Sequence, residues 1–405
     1  MKAVKTIAAL LFLTALAIVL VQPVLGADDD APPPSRGSAA GETTPEDDHE
    51  VDPGDEDENE SAEDVALTST FPKRCLQRTD AAPTGLVAAR RGSTVSVGMP
   101  SEPPSARFGV SGDAAWSPSG RYLAEKGGEL FDTGGRPLGS IFFQPVKWQW
   151  SPVADCVVAL TDNGNLTFGI PGTERLGIQL LDVPVADFDV SPNGKRLAFV
   201  VEGGGLWTAK LRSGKVLQVT AGHASLAGWF SNRIVLYSKS PGSGKLRYGK
   251  GAEGRVVKGA SAGTSLSSCE GRTLLTGVPS AGTDPLSEVF VRNGRLRGRA
   301  LPGASGPYDG FSGAACSPDG GFVIASANVG EGEKGPLVLL QSDGTFVSEV
   351  MRGRTANPAW TSDGVLFVKF GAGDRGRLWF IPPNGAPAPT DYTVGAPNQY
   401  DWHSR

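Results

Sequence analysis

The sequence predicts an all-β protein, a β-propeller of four-stranded blades. Three observations predict it. A short phrase recurs as Trp116-Ser117-Pro118-Ser119-Gly120, Val190-Ser191-Pro192-Asn193-Gly194, Cys316-Ser317-Pro318-Asp319-Gly320 and Trp360-Thr361-Ser362-Asp363-Gly364. Aligned on its second position, Ser117, Ser151, Ser191, Phe230, Ser268, Ser317 and Thr361 stand 34 to 49 residues apart, a spacing that fits propeller blades. The 55 Gly and 31 Pro among 405 residues suit many short strands joined by tight turns.

Each repeat reads the same way. An apolar strand enters the phrase, as in Val185 to Val190. A β-rich strand follows the Gly: Leu197 to Val201, Ile234 to Ser238, Phe322 to Ala325, Val365 to Phe370. A third strand covers Leu206 to Leu211, Glu288 to Val291, Leu337 to Leu340 and Leu378 to Ile381. A turn with Gly comes next, at Ser213-Gly214, Asn293-Gly294, Asp343-Gly344 and Asn384-Gly385, and a fourth strand closes the unit, as in Lys215 to Thr220. Within the phrase, Pro presets φ for the first central turn position. Asp, Asn or Ser bonds back to the local backbone, and Gly takes the left-handed position. Trp116, Trp150, Trp229 and Trp360 recur at one point of the unit, where an aromatic packs between blades or, in the alternative, offers a platform for ligand stacking. No stretch past residue 70 reads as an amphipathic helix.

The two ends of this repeat region complement each other. Tyr400-Asp401-Trp402 stands where another entering strand should end, while Gly85 to Arg90 and Ser93 to Met99 read as strands with no entering strand before them. One composite blade, with its inner strand from the C-terminal end, satisfies both and removes exposed edges. That gives eight blades, or seven if the unit around Phe230, which lacks the Pro and the Gly, is not one.

The chain begins differently. Lys2 and Lys5 precede an apolar run from Ile7 to Val21, then Val24-Leu25-Gly26-Ala27. These are the three parts of an export signal; the same run is also long enough for an uncleaved membrane anchor. Between Asp28 and Asp64 lie 16 of the 43 acidic residues against one basic residue, Arg36, and one large aliphatic, Val51. Such a stretch cannot offset the entropy of ordering and reads as a disordered, self-repelling spacer. The organisation expected is therefore a signal or anchor over 1–26, an acidic linker over 27–66 and a propeller over 67–405, secreted or anchored outside the cytoplasm.

Disulfides persist there. Cys156, Cys269 and Cys316 fall near the same turn of their units. The last two belong to consecutive units, so the spacing predicts Cys269–Cys316, which leaves Cys75 for Cys156; the alternative keeps some of the four free in the core.

Tandem phrases such as Ser117-Pro118-Ser119-Gly120, Ser191-Pro192-Asn193-Gly194 and Ser317-Pro318-Asp319-Gly320, each followed by a strand such as Leu197-Ala198-Phe199, resemble the WD40-like repeats of TolB-type β-propellers. The resemblance covers roughly residues 85–402. It implies an exported propeller that acts as a protein-binding platform in the cell envelope. The same repeats form the gating propeller of prolyl-oligopeptidase-like enzymes. Two departures limit the transfer: an acidic linker replaces TolB's leading α/β domain, and no residues remain for a hydrolase domain. Fold alone does not assign function.

The sequence assigns no catalytic, cofactor-binding or metal residue, and no cofactor is expected. Of three His, His49 lies in the linker, and a Ser-His-Asp triad would need His223 or His403; no nucleophile elbow supports one. Pro241-Gly242-Ser243-Gly244-Lys245 fails as a phosphate loop for want of its first Gly and a following helix. Basic residues cluster at Arg292, Arg295, Arg297 and Arg299, and again from Lys245 to Lys258. They read as a solvated outer strand or as a docking surface for an anionic envelope polymer or for the acidic linker. Nucleic acid is not an expected partner outside the cell. The function read from the sequence is a non-catalytic protein-binding scaffold in the cell envelope. Its rivals are a glycan- or polymer-binding module and a hydrolase at the ring centre. A central pocket with converging carboxylates would mark the hydrolase, a broad apolar patch the protein partner, and a basic groove the polymer.

Overall fold

A computed structural model describes residues 65–403 apart from 80–83, 142–144, 174–176, 241–243, 250–253, 262–264, 270–271, 277–285, 302–307, 330–332, 372–374, 384 and 397–398. The signal and the acidic linker expected from the sequence, up to residue 64, lie outside the described residues. Among those described, no helix is long and apolar enough to cross a membrane. One helical turn, α1 (Lys73–Leu76), precedes a succession of strands.

β1 (Val87–Arg91), β2 (Thr94–Gly98) and β3 (Ala106–Gly109) come first. Runs of four follow: β4 (Ala114–Trp116), β5 (Leu123–Glu125), β6 (Glu129–Phe131) and β7 (Pro137–Ser140); β8 (Lys147–Trp150), β9 (Val157–Leu160), β10 (Leu166–Gly169) and β11 (Ile178–Gln179); β12 (Val185–Val190), β13 (Arg196–Val201), β14 (Leu206–Lys210) and β15 (Val216–Thr220). Then come β16 (Ser225–Trp229), β17 (Val235–Ser238), β18 (Lys245–Tyr248) and β19 (Arg255–Ser261); β20 (Ser265–Cys269), β21 (Arg272–Thr276), β22 (Ser287–Arg292) and β23 (Arg295–Ala300). The last runs are β24 (Gly310–Cys316), β25 (Phe322–Val329), β26 (Glu333–Gln341) and β27 (Phe346–Met351); and β28 (Thr355–Thr361), β29 (Gly364–Phe370), β30 (Gly376–Ile381) and β31 (Ala388–Val394), before β32 (Tyr400–Trp402).

Each run is an antiparallel meander. The unit around Phe230 is one of them, despite its missing Pro and Gly. The last strand returns to the first, in the order β3-β2-β1-β32, with Val87 opposite Trp402 and Ala89 opposite Tyr400. Second strands are buried on both faces, so they read as continuous apolar runs: Leu197, Ala198 and Phe199 of β13 are all fully buried.

The recurring phrase builds the turn between the first and second strand. In three copies the Gly N–H bonds back to the Ser carbonyl, from Gly120 to Ser117 at 2.8 Å, Gly194 to Ser191 at 2.8 Å and Gly320 to Ser317 at 2.9 Å. These glycines have φ of 65°, 66° and 69°, which a side chain would strain. The Ser hydroxyl then accepts the N–H that opens the next strand, from Arg196 to Ser191 and from Phe322 to Ser317, each at 2.9 Å.

The recurrent tryptophans join neighbouring units. Trp150 donates Nε1–H to the Ala115 carbonyl at 3.0 Å, and Trp229 to the Asp189 carbonyl at 3.2 Å. Both rings are buried. A buried indole N–H needs a partner, and at these two positions the first strand of the preceding unit supplies it; the buried Trp116 Nε1 has none among the described residues.

The segment before β1 is strapped across two units. Leu67 bridges Leu181, Phe71 N–H donates to the Leu211 carbonyl at 3.0 Å, and Thr79 N–H to that of Val153 at 2.8 Å. Phe71 packs on Phe168 with ring centroids 4.8 Å apart. The strap is tied by Cys75–Cys156, with Cα atoms 5.6 Å apart. Cys269–Cys316 joins two consecutive units with Cα atoms 5.8 Å apart.

Cys75 and Cys156 are 81 residues apart, so their link removes much entropy from the unfolded chain. Replacing both by Ser should lower stability by about 2–4 kcal/mol and speed amide exchange at Thr68 and Phe71 ahead of the strands. Exchange measured by mass spectrometry checks this; an unchanged Phe71 amide would show that the strap holds without its bond.

Candidate anion-binding platform

First strands of several units line a depression of about 350 Å³, with Ser267, Asn357, Thr361, Tyr400, Asp401 and Trp402 around it. Among the described residues lining it, Asp401 carries the one carboxylate. Its Oδ2 accepts the Trp116 N–H at 2.6 Å and its Oδ1 accepts the Trp402 N–H at 3.0 Å. Burial raises its pKa against those two bonds. The Tyr400 hydroxyl donates to the carbonyl of Asn357, a residue held at φ 47°. On β12, Asp187 pairs with Lys147 at 2.6 Å. Asp189 has its pKa raised mainly by burial, opposed by a hydrogen bond from Gln149.

The two histidines that a triad would need are placed elsewhere. His223 is exposed. His403 accepts the Thr84 N–H on Nδ1 at 3.0 Å, and its Nε2 lies 3.1 Å from the Pro118 carbonyl, to which it donates. This tautomer is set by its two backbone partners. Among the described residues no group of three or more His, Cys, Asp and Glu gathers as a metal site.

The predicted basic cluster lies on the hairpin β22–β23. Asn293 and Gly294, at φ 52° and 67°, supply the two left-handed residues of its tight turn. The register sets Arg292 opposite Arg295, Phe290 opposite Arg297 and Glu288 opposite Arg299. Cross-strand partners share a face, and side chains alternate along a strand. All six therefore stand on one face. Val289 and Leu296, on the other, are buried with Val257 and Leu275.

A third strand completes the surface. β19 of the preceding unit runs parallel to β23, with Lys258 beside Arg297, so two units merge into one eight-stranded sheet. Two glycines permit it. A Cβ at Gly259 would collide with the Gly298 carbonyl, and one at Gly298 with Ala260. The Leu296 N–H, turned away from β22, donates to the buried Tyr248 hydroxyl at 3.3 Å. The result is a depression of about 960 Å³ lined by Lys258, Phe290, Arg292, Arg295, Arg297 and Arg299.

These cations are not equivalent. Glu288 is 2 % exposed and is bridged by Arg299 at 2.6 Å and Arg272 at 2.8 Å. Arg272 also donates to the carbonyls of Ser342 at 2.5 Å and Gly320 at 3.2 Å. Arg299 is thus committed to a buried partner, with its guanidinium 5.4 Å above the Phe290 ring. Lys258, Arg292, Arg295 and Arg297 have no anionic partner among the described residues. Arg292 and Arg295 face each other, an arrangement that costs stability unless an anion relieves it. The sequence marked the four arginines. It did not separate Arg299 from the others or place Lys258 beside Arg297, because nothing in the residue pattern signals a parallel pairing between two closing strands.

Gly298→Val should force β19 and β23 apart and cost about 1–3 kcal/mol. Amide exchange should rise at Val256–Ala260 and spare β13; unchanged exchange would show that the strands tolerate a side chain. A second expectation concerns Asp401. Its folded pKa is raised, so the stability it contributes is fully present below the unfolded carboxylate value, near 3.9. That stability is lost as pH rises through the folded value. Asp401→Asn should therefore gain on the parent as pH rises from about 4 to 7 in urea unfolding; a pH-independent difference would refute the assignment.

No protein-family model matches the sequence, and no curated protein matches it. Solved structures do share its architecture. The dihydro-heme d1 dehydrogenase NirN is similar with a TM-score of 0.53 at 16% identity, over 82% of this chain and 79% of that one. The C-terminal WD40 domain of Sif2 is similar with a TM-score of 0.50 at 12% identity, over 75% of this chain and 94% of that one. At such identities the likeness is one of fold, and the fold is that of a β-propeller.

Proposed function

We propose that the chain is an exported or membrane-tethered propeller of TolB-like organisation, with eight blades closed by β32 on β1. It acts as a non-catalytic binding scaffold in the cell envelope and holds an anionic polymer on the β19–β22–β23 platform. The observation that carries this reading is the set of four cations on one face of three strands with no anionic partner among the described residues. A signal-like start and two disulfides support a location outside the cytoplasm. The large exposed apolar side chains, such as Met99, Leu138, Val146, Leu217 and Val291, are scattered over several units, as on an ordinary surface.

A protein partner is the second reading, and one place favours it. The outer strand β27 exposes Phe346 at 43% and Val347 at 37%, beside the Tyr308 ring at 6.4 Å, and among the described residues it is the edge of its sheet. Such an edge can accept a further strand.

The two separate in one experiment. Full-length protein is bound to isolated native envelopes before and after protease treatment of the envelopes. The polymer reading expects binding that survives the protease, weakens with salt and falls at least tenfold in Arg292→Glu/Arg295→Glu. Binding lost with the protease and indifferent to that variant would move the contact to a protein partner.

A further inference from the structure

We infer that the platform takes an extended phosphodiester polymer with a three-carbon bridge between phosphates, of the poly(glycerol phosphate) class. This rests on the anionic-polymer reading of the same surface and goes further, to the chemistry and repeat of the ligand.

The cations form two pairs. Arg292 stands directly across from Arg295, and Lys258 stands directly beside Arg297. Arg295 and Arg297 are two residues apart on β23 and share a face, so the pairs are separated by about 6.8 Å along the strand. Two residues of extended backbone comprise about six covalent bonds. A phosphodiester chain bridged by three carbons also has six bonds from one phosphorus to the next. The two pairs lie on opposite sides of β23, with centres offset by a further strand spacing of about 4.8 Å, so the register holds along β23 itself: successive phosphates of a polymer laid on that strand meet Arg295 and then Arg297, with Arg292 and Lys258 reaching in from either side.

The residue types fit phosphate. Three of the four unpartnered cations are Arg, whose planar fork binds phosphate oxygens in a bidentate way. A phosphate between Arg292 and Arg295 would also relieve their mutual repulsion. The cations line a depression of about 960 Å³, which admits a chain more readily than a flat bilayer. Among the described residues Phe290 is the one aromatic lining it, and the Arg299 guanidinium already lies over that ring. A nucleic-acid groove interleaves cations with free aromatic faces for the bases, and this platform offers none.

The test is titration of the full-length protein with oligomers of poly(glycerol phosphate) across a range of salt. The expected result is binding whose log–log salt dependence is about 0.7 per phosphate held, hence about 1.4 for the two in register. Arg292→Gln/Arg295→Gln and Lys258→Gln/Arg297→Gln should each weaken binding about tenfold or more and lower that slope by about 0.7. Both variants should melt no lower than the parent, because they remove like charges that face one another, three at exposed positions and one, Arg297, at a half-buried one. Poly(ribitol phosphate), whose five-carbon bridge breaks the register, should bind more weakly, as should hyaluronan, which carries carboxylates. Equal binding of either with the same dependence on these residues overturns the phosphodiester register and leaves the anionic-polymer reading standing. Tighter binding of a single-stranded oligonucleotide, or binding of phosphatidylglycerol vesicles without the polymer, overturns the inference in favour of that ligand. Binding absent for every polymer, or unmoved by both variants, overturns the inference and the underlying reading together.

Discussion

The pairing of Val87–Ala89 with Tyr400–Trp402 is the constraint on which the other units lean. It is short, with three registered pairs, so the strand ladder alone would hold it weakly. Side chains supply the rest. Asp401 accepts the Trp116 N–H and so binds the composite sheet to the unit after it. Trp402 donates Nε1–H to the Gly85 carbonyl at 3.2 Å, and His403 spans Thr84 and Pro118. Three consecutive residues thus clamp parts of the chain about three hundred positions earlier. Each bond contributes on the order of 1 kcal/mol net. Together they keep β1 from presenting a bare edge, which is the hazard of any open sheet.

Much of this was legible in the sequence, because it is written in local turn chemistry. Ser-Pro-x-Gly specifies its own hydrogen bonds, so Ser191 and Gly194 behave as their types dictate. The Asn293-Gly294 turn is equally explicit. The unit around Phe230 lacks such cues, yet it forms all four strands, because the apolar residues Val235, Leu236 and Tyr237 have neighbouring units on either side to pack against. Tertiary packing there replaces the missing turn signal. The helical turn α1 was not foreseen. It spans four residues around Cys75, too short for a periodic signal to exist.

The platform was only half legible. Charge spacing marked the arginines, since alternation on a strand puts Arg295, Arg297 and Arg299 on one face without knowledge of the fold. What the spacing could not give was the neighbour. Lys258 lies 39 residues from Arg297 and reaches it because Gly259 and Gly298 let two backbones touch. A glycine read alone suggests a bend; only the pair, seen together, means contact. Glu288 was missed as the partner of Arg299 for a similar reason. Its burial depends on Arg272, Gly320 and Ser342, which belong to other strands and turns.

The buried ion pair explains how the charged surface stays ordered. Removing Glu288 from water carries a large desolvation cost, which Arg272 and Arg299 offset only if both are fixed in place. Arg272 is fixed by two carbonyls of the next unit and Arg299 by the ring of Phe290. The closing end of the hairpin is therefore rigid. Its free end, with Arg292 and Arg295, extends from an anchored base and does not carry its own repulsion alone. Cations held this way lose little further freedom when an anion arrives, so more of each contact is retained as affinity. An isolated surface hairpin bearing the same four arginines would bend away from its own charge. Here Val289 and Leu296 on the opposite face, the Tyr248 hydroxyl beneath and the touching glycines beside it leave no such route.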